Sequence, residues 1–252
     1  MHIQMNGRLF HHALLQDLFM PLITDSDPNL GLPRRRWMQS VAQAVAALVL
    51  VSPSAQATEV ASTPSTGTWP PPEASAAAQR LVRWVAATAD HQSMPFAVID
   101  KPGARIHVFS AHGQWLGSSP VLLGAARGDR SAPDIGSRPL SQIQPHERTT
   151  PAGRFVTEPG RNLKGDDIVW IDYDAAVSLH RVRSVTASER RTQRLASPTL
   201  PDKRISYGCV NAPEHFYNQL IAPLFGRAQG VVYILPDTEP FATFFRAASA
   251  YE

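Results

Sequence analysis

Between Phe96 and Pro236 the apolar residues come in short blocks that alternate with polar ones and are broken by Gly and Pro. The segments FAVIDK, ARIHVFSA, GQWLGSSPVLLG, GRFVTEP, DIVWIDY, AVSLHRV and GVVYILP each carry a strand period. A chain that changes direction so often cannot bury its apolar faces as helices, so it must stack sheets. The pattern predicts a mainly β domain, a sandwich or a barrel, over residues 94–238, with Pro102-Gly103 as a turn between the first two strands.

Helical patterns flank and interrupt it. ASAAAQRLVRWVAATADHQ puts Ala78, Leu81, Val82, Val85 and Ala89 on one stripe, so residues 74–93 read as a leading helix. APEHFYNQLIAPLF reads as a helix beginning around Ala212, with Asn211 as a candidate N-cap. Residues 239–252 form a final amphipathic tail. Ala125 to Thr150 has no period, and a stretch of that length inside a domain reads as a functional or lid-like loop.

The first quarter of the chain has another character. Arg34 to Arg36, the apolar run Val41 to Val51 and Ala55-Gln56-Ala57 have the three parts of a signal peptide, so residues 1–57 read as an extension plus an export signal. The eleven-residue apolar run is short of the roughly twenty that span a bilayer. Export to the periplasm or cell envelope is expected, with a retained membrane anchor as the alternative. Residues 58–73, rich in Ser, Thr and Pro, read as a linker.

The formal charge of +3 comes almost wholly from arginine, and acidic residues interrupt the basic ones, which argues against a nucleic-acid partner. No spacing of His, Cys and acids suits zinc, and no phosphate-binding or dinucleotide glycine motif occurs. No metal or cofactor is expected.

The chain has one cysteine, Cys209, in a protein expected to be exported. It has no internal partner for a disulfide, so either it is a buried small hydrophobe or its thiol is used. A useful thiol needs a base, a cation or a helix N-terminus to favour its thiolate. The helix expected after Asn211 supplies one candidate, and His180, ending a strand segment, supplies the preferred base, with His215 its competitor. The N–H groups of Gly208 and Cys209 are candidate oxyanion donors. A side chain at Gly208 would crowd a substrate carbonyl. Ser206 either bonds within the site or closes a turn on its own backbone.

With TPAGRF at Thr150 to Phe155, His180 and SYGCVN at Ser206 to Asn211 in this order, the sequence resembles the L,D-transpeptidase catalytic domains of bacterial cell-wall enzymes over about residues 95–236. The resemblance implies a β-sandwich-like L,D-transpeptidase fold with a few short helices, and a cysteine acyl transfer on peptidoglycan stem peptides. Cys209 would attack a peptide carbonyl, and His180, oriented by the Arg181 carbonyl, would move the proton. An amine of a second stem or a protein lysine would resolve the thioester. Hydrolysis by water, as in an L,D-carboxypeptidase or endopeptidase, and a catalytically idle wall-binding domain are the alternatives.

The chain departs from that family in two places. Tyr207 stands where many relatives have His. Twenty-eight residues separate His180 from Cys209, more than in the commoner family form. The additional segment is rich in arginine and reads as a solvated loop or as a clamp on substrate carboxylates. Arg181, Arg204, Tyr207 and Asn211 are the candidate substrate-binding residues.

Overall fold

A computed structural model describes residues 69–251 apart from residues 163, 184 and 185. Residues 1–57, read above as an extension plus an export signal, and residues 58–68 of the segment read as a linker lie outside the described residues. Among the described residues eleven strands form three sheets, joined by short helical pieces.

The first sheet has five strands in the order β3 (Trp115–Pro120), β2 (Arg105–Phe109), β1 (Phe96–Asp100), β11 (Val231–Ile234), β5 (Gly153–Val156). β1 and β2 pair as a hairpin around Pro102-Gly103, whereas β1 and β11 pair in parallel. The second has four strands in the order β10 (Val210–Ala212), β8 (Val177–Arg181), β7 (Asp167–Asp172), β6 (Glu158–Arg161). β4 (Leu123–Gly124) and β9 (Arg204–Ser206) form a two-stranded parallel ribbon.

Strand alternation places the core. Ala97, Ile99, Ile106, Val108, Val232 and Ile234 from the first sheet meet Val169, Ile171, Val177, Leu179, Val210 and Ala212 from the second in one buried cluster. Such opposed apolar faces are a sandwich. The other face of the first sheet, with Phe96, Val98, Phe109, Val231 and Tyr233, is covered by α1 (Ala76–Thr88) through Ala78, Leu81, Val82 and Val85, and by Phe245 and Ala248 of the tail. Phe96 stacks on Phe109 at 4.5 Å between centroids, and Trp84 meets Tyr233 edge-on.

Several boundaries differ from the sequence reading. Ser75 caps α1 by accepting from the Ala78 N–H, and the helix stops at Ala89, which takes a left-handed conformation and leaves the apolar stripe. GRFVTEP supplies two strands, because the chain passes from one sheet to the other at Thr157, whose hydroxyl exchanges hydrogen bonds with Gly230. Trp69, in the segment read as linker, packs edge-on against His107 and Phe109. Residues 125–150 hold three 3-10 turns. No helix among the described residues is long and apolar enough to cross a membrane.

Candidate active site

The Asn211 N-cap expectation fails. Val210–Ala212 is strand β10, and the helix α3 (Glu214–Phe216) begins only after Pro213, continuing through a π turn (Tyr217–Ile221) into α4 (Ala222–Phe225). Tertiary pairing overrides the local signal: β10 lies parallel to β8 with Asn211 opposite His180, and Asn211 also exchanges both backbone hydrogen bonds with Leu122. Cys209 therefore does not sit at the N-terminus of that helix.

A parallel neighbour needs a long crossover, because the chain must return to the starting end of the sheet. The segment between His180 and Cys209 is that crossover. Much of it faces solvent, yet it is not an irregular loop: it folds into a 3-10 turn (Ala187–Glu189), α2 (Arg191–Ala196), a second 3-10 turn (Leu200–Lys203) and β9. Most of its arginines are engaged within the fold. Arg183 pairs with Asp166, and Arg194 donates to the carbonyl oxygens of Glu189 and Asp202.

The register puts four side chains on the sheet face turned away from the core. Leu179 and Val210 point into the sandwich, so Ser178, His180, Cys209 and Asn211 point out of it. Ser178 Oγ lies 3.5 Å from Cys209 Sγ, and Asn211 Nδ2 lies 3.0 Å from His180 Nε2. His180 Nδ1 donates to the Arg181 carbonyl at 2.7 Å, and Sγ lies 3.7 Å from the Ala176 carbonyl. Cys209 is half-buried, whereas His180 and Asn211 are buried. His215, the competing base in the sequence, lies on α3 after β10.

The turn from β9 to β10 sets the thiol's direction. Ser206 Oγ donates to the Cys209 carbonyl at 2.6 Å and accepts from the Gly208 N–H at 3.1 Å. Ser206 is thus the turn-closing hydroxyl. The Gly208 N–H that the sequence reading offered as an oxyanion donor is already spent on it, so that assignment is corrected. Gly208 has φ +139°, and a Cβ there would lie 2.8 Å from the Thr149 carbonyl oxygen. Its missing side chain leaves room for backbone.

Sequence reasoning missed what holds that turn. Thr150 Oγ1 donates to the Gly208 carbonyl at 2.8 Å and accepts from the Gly124 N–H at 2.9 Å. The Thr150 carbonyl in turn accepts from Lys101 Nζ, which also donates to the Gly128 carbonyl and to Asp129. Burial pushes Lys101 down from its ordinary pKa, with Asp129 opposing the shift. Burial alone would raise Asp129, but Lys101 and the N–H groups of Asp237 and Glu239 hold its carboxyl well below the usual carboxylate range. Lysine is scarce in a chain where arginine dominates, and a lysine at a strand end before Pro-Gly was the available signal.

The candidate substrate-binding residues are committed elsewhere, apart from Asn211. The Arg181 guanidinium pairs with Asp167, bonds Asn218 and lies 4.3 Å from the Tyr217 ring centroid. Tyr207 is covered by Arg148 at 4.2 Å from its ring centroid. Arg204 pairs with buried Asp237 and lines a cavity of about 540 Å³ whose walls include Lys101 and Arg127 but not Cys209, His180 or Asn211. Among the described residues no group of three or more His, Cys, Asp or Glu converges on a metal position.

No protein-family model matches the chain, and no curated protein matches it. Solved structures similar to it include the L,D-transpeptidase (residues 123–326) from Xylanimonas cellulosilytica, at 14% identity and TM-score 0.34 over 56% of this chain and 60% of that one. The catalytic domain of the Enterococcus faecium L,D-transpeptidase matches at 18% identity and TM-score 0.31, over 57% of this chain and 98% of that one. A fused Zn-dependent amidase/peptidase/peptidoglycan-binding protein from Clostridium acetobutylicum matches at 15% identity and TM-score 0.32, over 61% of each chain. Likenesses this remote establish no shared chemistry.

Proposed function

We propose that the domain transfers acyl groups between peptidoglycan stem peptides through a thioester on Cys209, as a divergent L,D-transpeptidase. The observation that carries the reading is the parallel pairing of β10 with β8, which sets the only thiol of the chain and the His180 imidazole on one face of one sheet. The TPAGRF, His180 and SYGCVN elements support the choice of substrate.

In this reading Sγ attacks a stem-peptide carbonyl carbon while His180 Nε2 takes the thiol proton. The tetrahedral intermediate collapses, the carbon–nitrogen bond breaks, and His180 returns the proton to the departing amine, leaving a thioester. An amine of a second stem then attacks, loses a proton to His180 and releases Cys209 as thiol. A protein lysine would serve as acceptor in the same way, and water in its place would give hydrolysis. Export to the cell envelope, where such stems are found, belongs to the same proposal.

One observation favours a catalytically idle wall-binding domain instead: His180 Nε2, the nitrogen that must take the proton, already meets the Asn211 amide. The two readings separate on exchange chemistry. Incubation with a stem tetrapeptide and a free D-amino acid should give a tetrapeptide with its last residue exchanged, seen by mass spectrometry and lost in Cys209→Ala. Binding to isolated wall without exchange would favour the idle domain.

A further inference from the structure

Arg191 opens α2 in the crossover, with its side chain 11% exposed, and reaches back over the sheet face that carries Cys209. Its Nε lies 2.7 Å from Glu189 Oε2 and its Nη1 lies 2.7 Å from Asn211 Oδ1. A guanidinium only donates, so the Asn211 oxygen must face it and the Asn211 nitrogen must face the other way. That nitrogen meets His180 Nε2 and also only donates, so Nε2 must be the acceptor. At the far end the Arg181 carbonyl only accepts, so Nδ1 carries a hydrogen. A histidine with hydrogen on Nδ1 and none on Nε2 is neutral.

We propose that Arg191, through Asn211, is a positioning residue that locks His180 as a neutral imidazole in the resting site. Cys209 then rests as a thiol, not as half of a thiolate–imidazolium pair. The 3.7 Å approach of Sγ to the Ala176 carbonyl fits, because a carbonyl accepts from a thiol and repels a thiolate. When Nε2 takes the thiol proton, its new N–H faces the Asn211 N–H, so the amide must turn or withdraw. The hold of Arg191 on Oδ1 opposes that turn, and the crossover thereby governs how readily the base is charged.

Charged and titratable groups come toward His180 from several elements. Cys209 precedes β10 on the same face, Arg191 with its partner Glu189 comes from the crossover, and Arg181 follows on its own strand, turned to Asp167 of β7 and stacked on Tyr217. The catalytic meaning of the lock rests on the function proposed above, but its test does not.

Nitrogen-15 spectra of the histidine side chains in the wild-type protein near pH 7, assigned by through-bond correlation, should show His180 neutral with hydrogen on Nδ1. An imidazolium, or hydrogen on Nε2, would overturn the lock without any variant having to fold. The rate of iodoacetamide reaction at Cys209, the only thiol, is then followed against pH. Arg191→Met frees the amide to turn its oxygen to Nε2–H and should lower the midpoint by about one pH unit. Arg191→Lys, again a pure donor, should stay near wild type. An unmoved midpoint in Arg191→Met, or an equal shift in Arg191→Lys, contradicts the proposal. A neutral His180 in a protein that exchanges no stem peptide would defeat the acyl-transfer reading and leave the lock intact.

Discussion

The hydroxyl of Thr150 donates to the carbonyl oxygen of Gly208 at 2.8 Å, tying the start of the TPAGRF element to the turn that presents Cys209. The Thr150 hydroxyl oxygen itself accepts from the Gly124 N–H, and Thr150 is fully buried. Thr150→Val keeps the shape and orphans both backbone groups, each worth about 1–3 kcal/mol. We expect a loss of at least about 2 kcal/mol in urea unfolding and slower acylation of Cys209. Thr150→Ser should recover most of both.

Gly208→Ala meets two obstacles at once. Its φ of +139° is strained for any residue with a Cβ, and that Cβ would press on the Thr149 carbonyl oxygen. Strain of this kind costs about 1–3 kcal/mol. The turn is expected to relax by moving Cys209, so acyl adduct formation should fall far more than the melting temperature. Unchanged adduct formation would show that the turn geometry does not matter.

Lys101 and Asp129 are paired at 2.7 Å with both side chains fully buried. Lys101→Met leaves the Asp129 carboxylate buried without its cation, which costs about 3–5 kcal/mol. The depressed carboxyl of Asp129 adds a pH signature. Its stabilisation is complete above the ordinary carboxylate range and is lost as pH falls through the lower folded-state value. Urea titrations at neutral and acid pH should therefore show the variant losing less of its stability on acidification than wild type.

His107 is buried on β2 with Nδ1 against Ser118 Oγ, and burial, helped by Arg105, lowers its pKa to about 4. Because the unfolded chain binds this proton near 6.5 and the folded one does not, stability is complete above 6.5 and declines as pH falls toward 4. The full effect is on the order of 3 kcal/mol. His107→Gln should flatten the stability curve across that window, read by thermal melts at stepped pH.

The strand segments were legible because alternation is a local property, and the Pro102-Gly103 turn was legible for the same reason. Asn211 was misread because Asn before Ala-Pro carries a genuine capping signal, which loses to backbone pairing with residues distant in the chain. Cys209 and His180 stood out as residue types, yet what surrounds them did not. Lys101, Thr150, Ser178 and Arg191 act across 20 to 58 residues of sequence in their contacts with Asp129, Gly208, Cys209 and Asn211. Arg191 was one basic residue among many, and only the crossover's fold singles it out.

Whether Cys209 is an acyl-accepting nucleophile served by His180 is read from the intact mass of the protein after incubation with a carbapenem, a strained acyl donor. A single covalent adduct is expected on the wild type, none on Cys209→Ala, and little or none on His180→Ala. An adduct that persists without Cys209, or a wild-type protein that forms none, would contradict that role of Cys209.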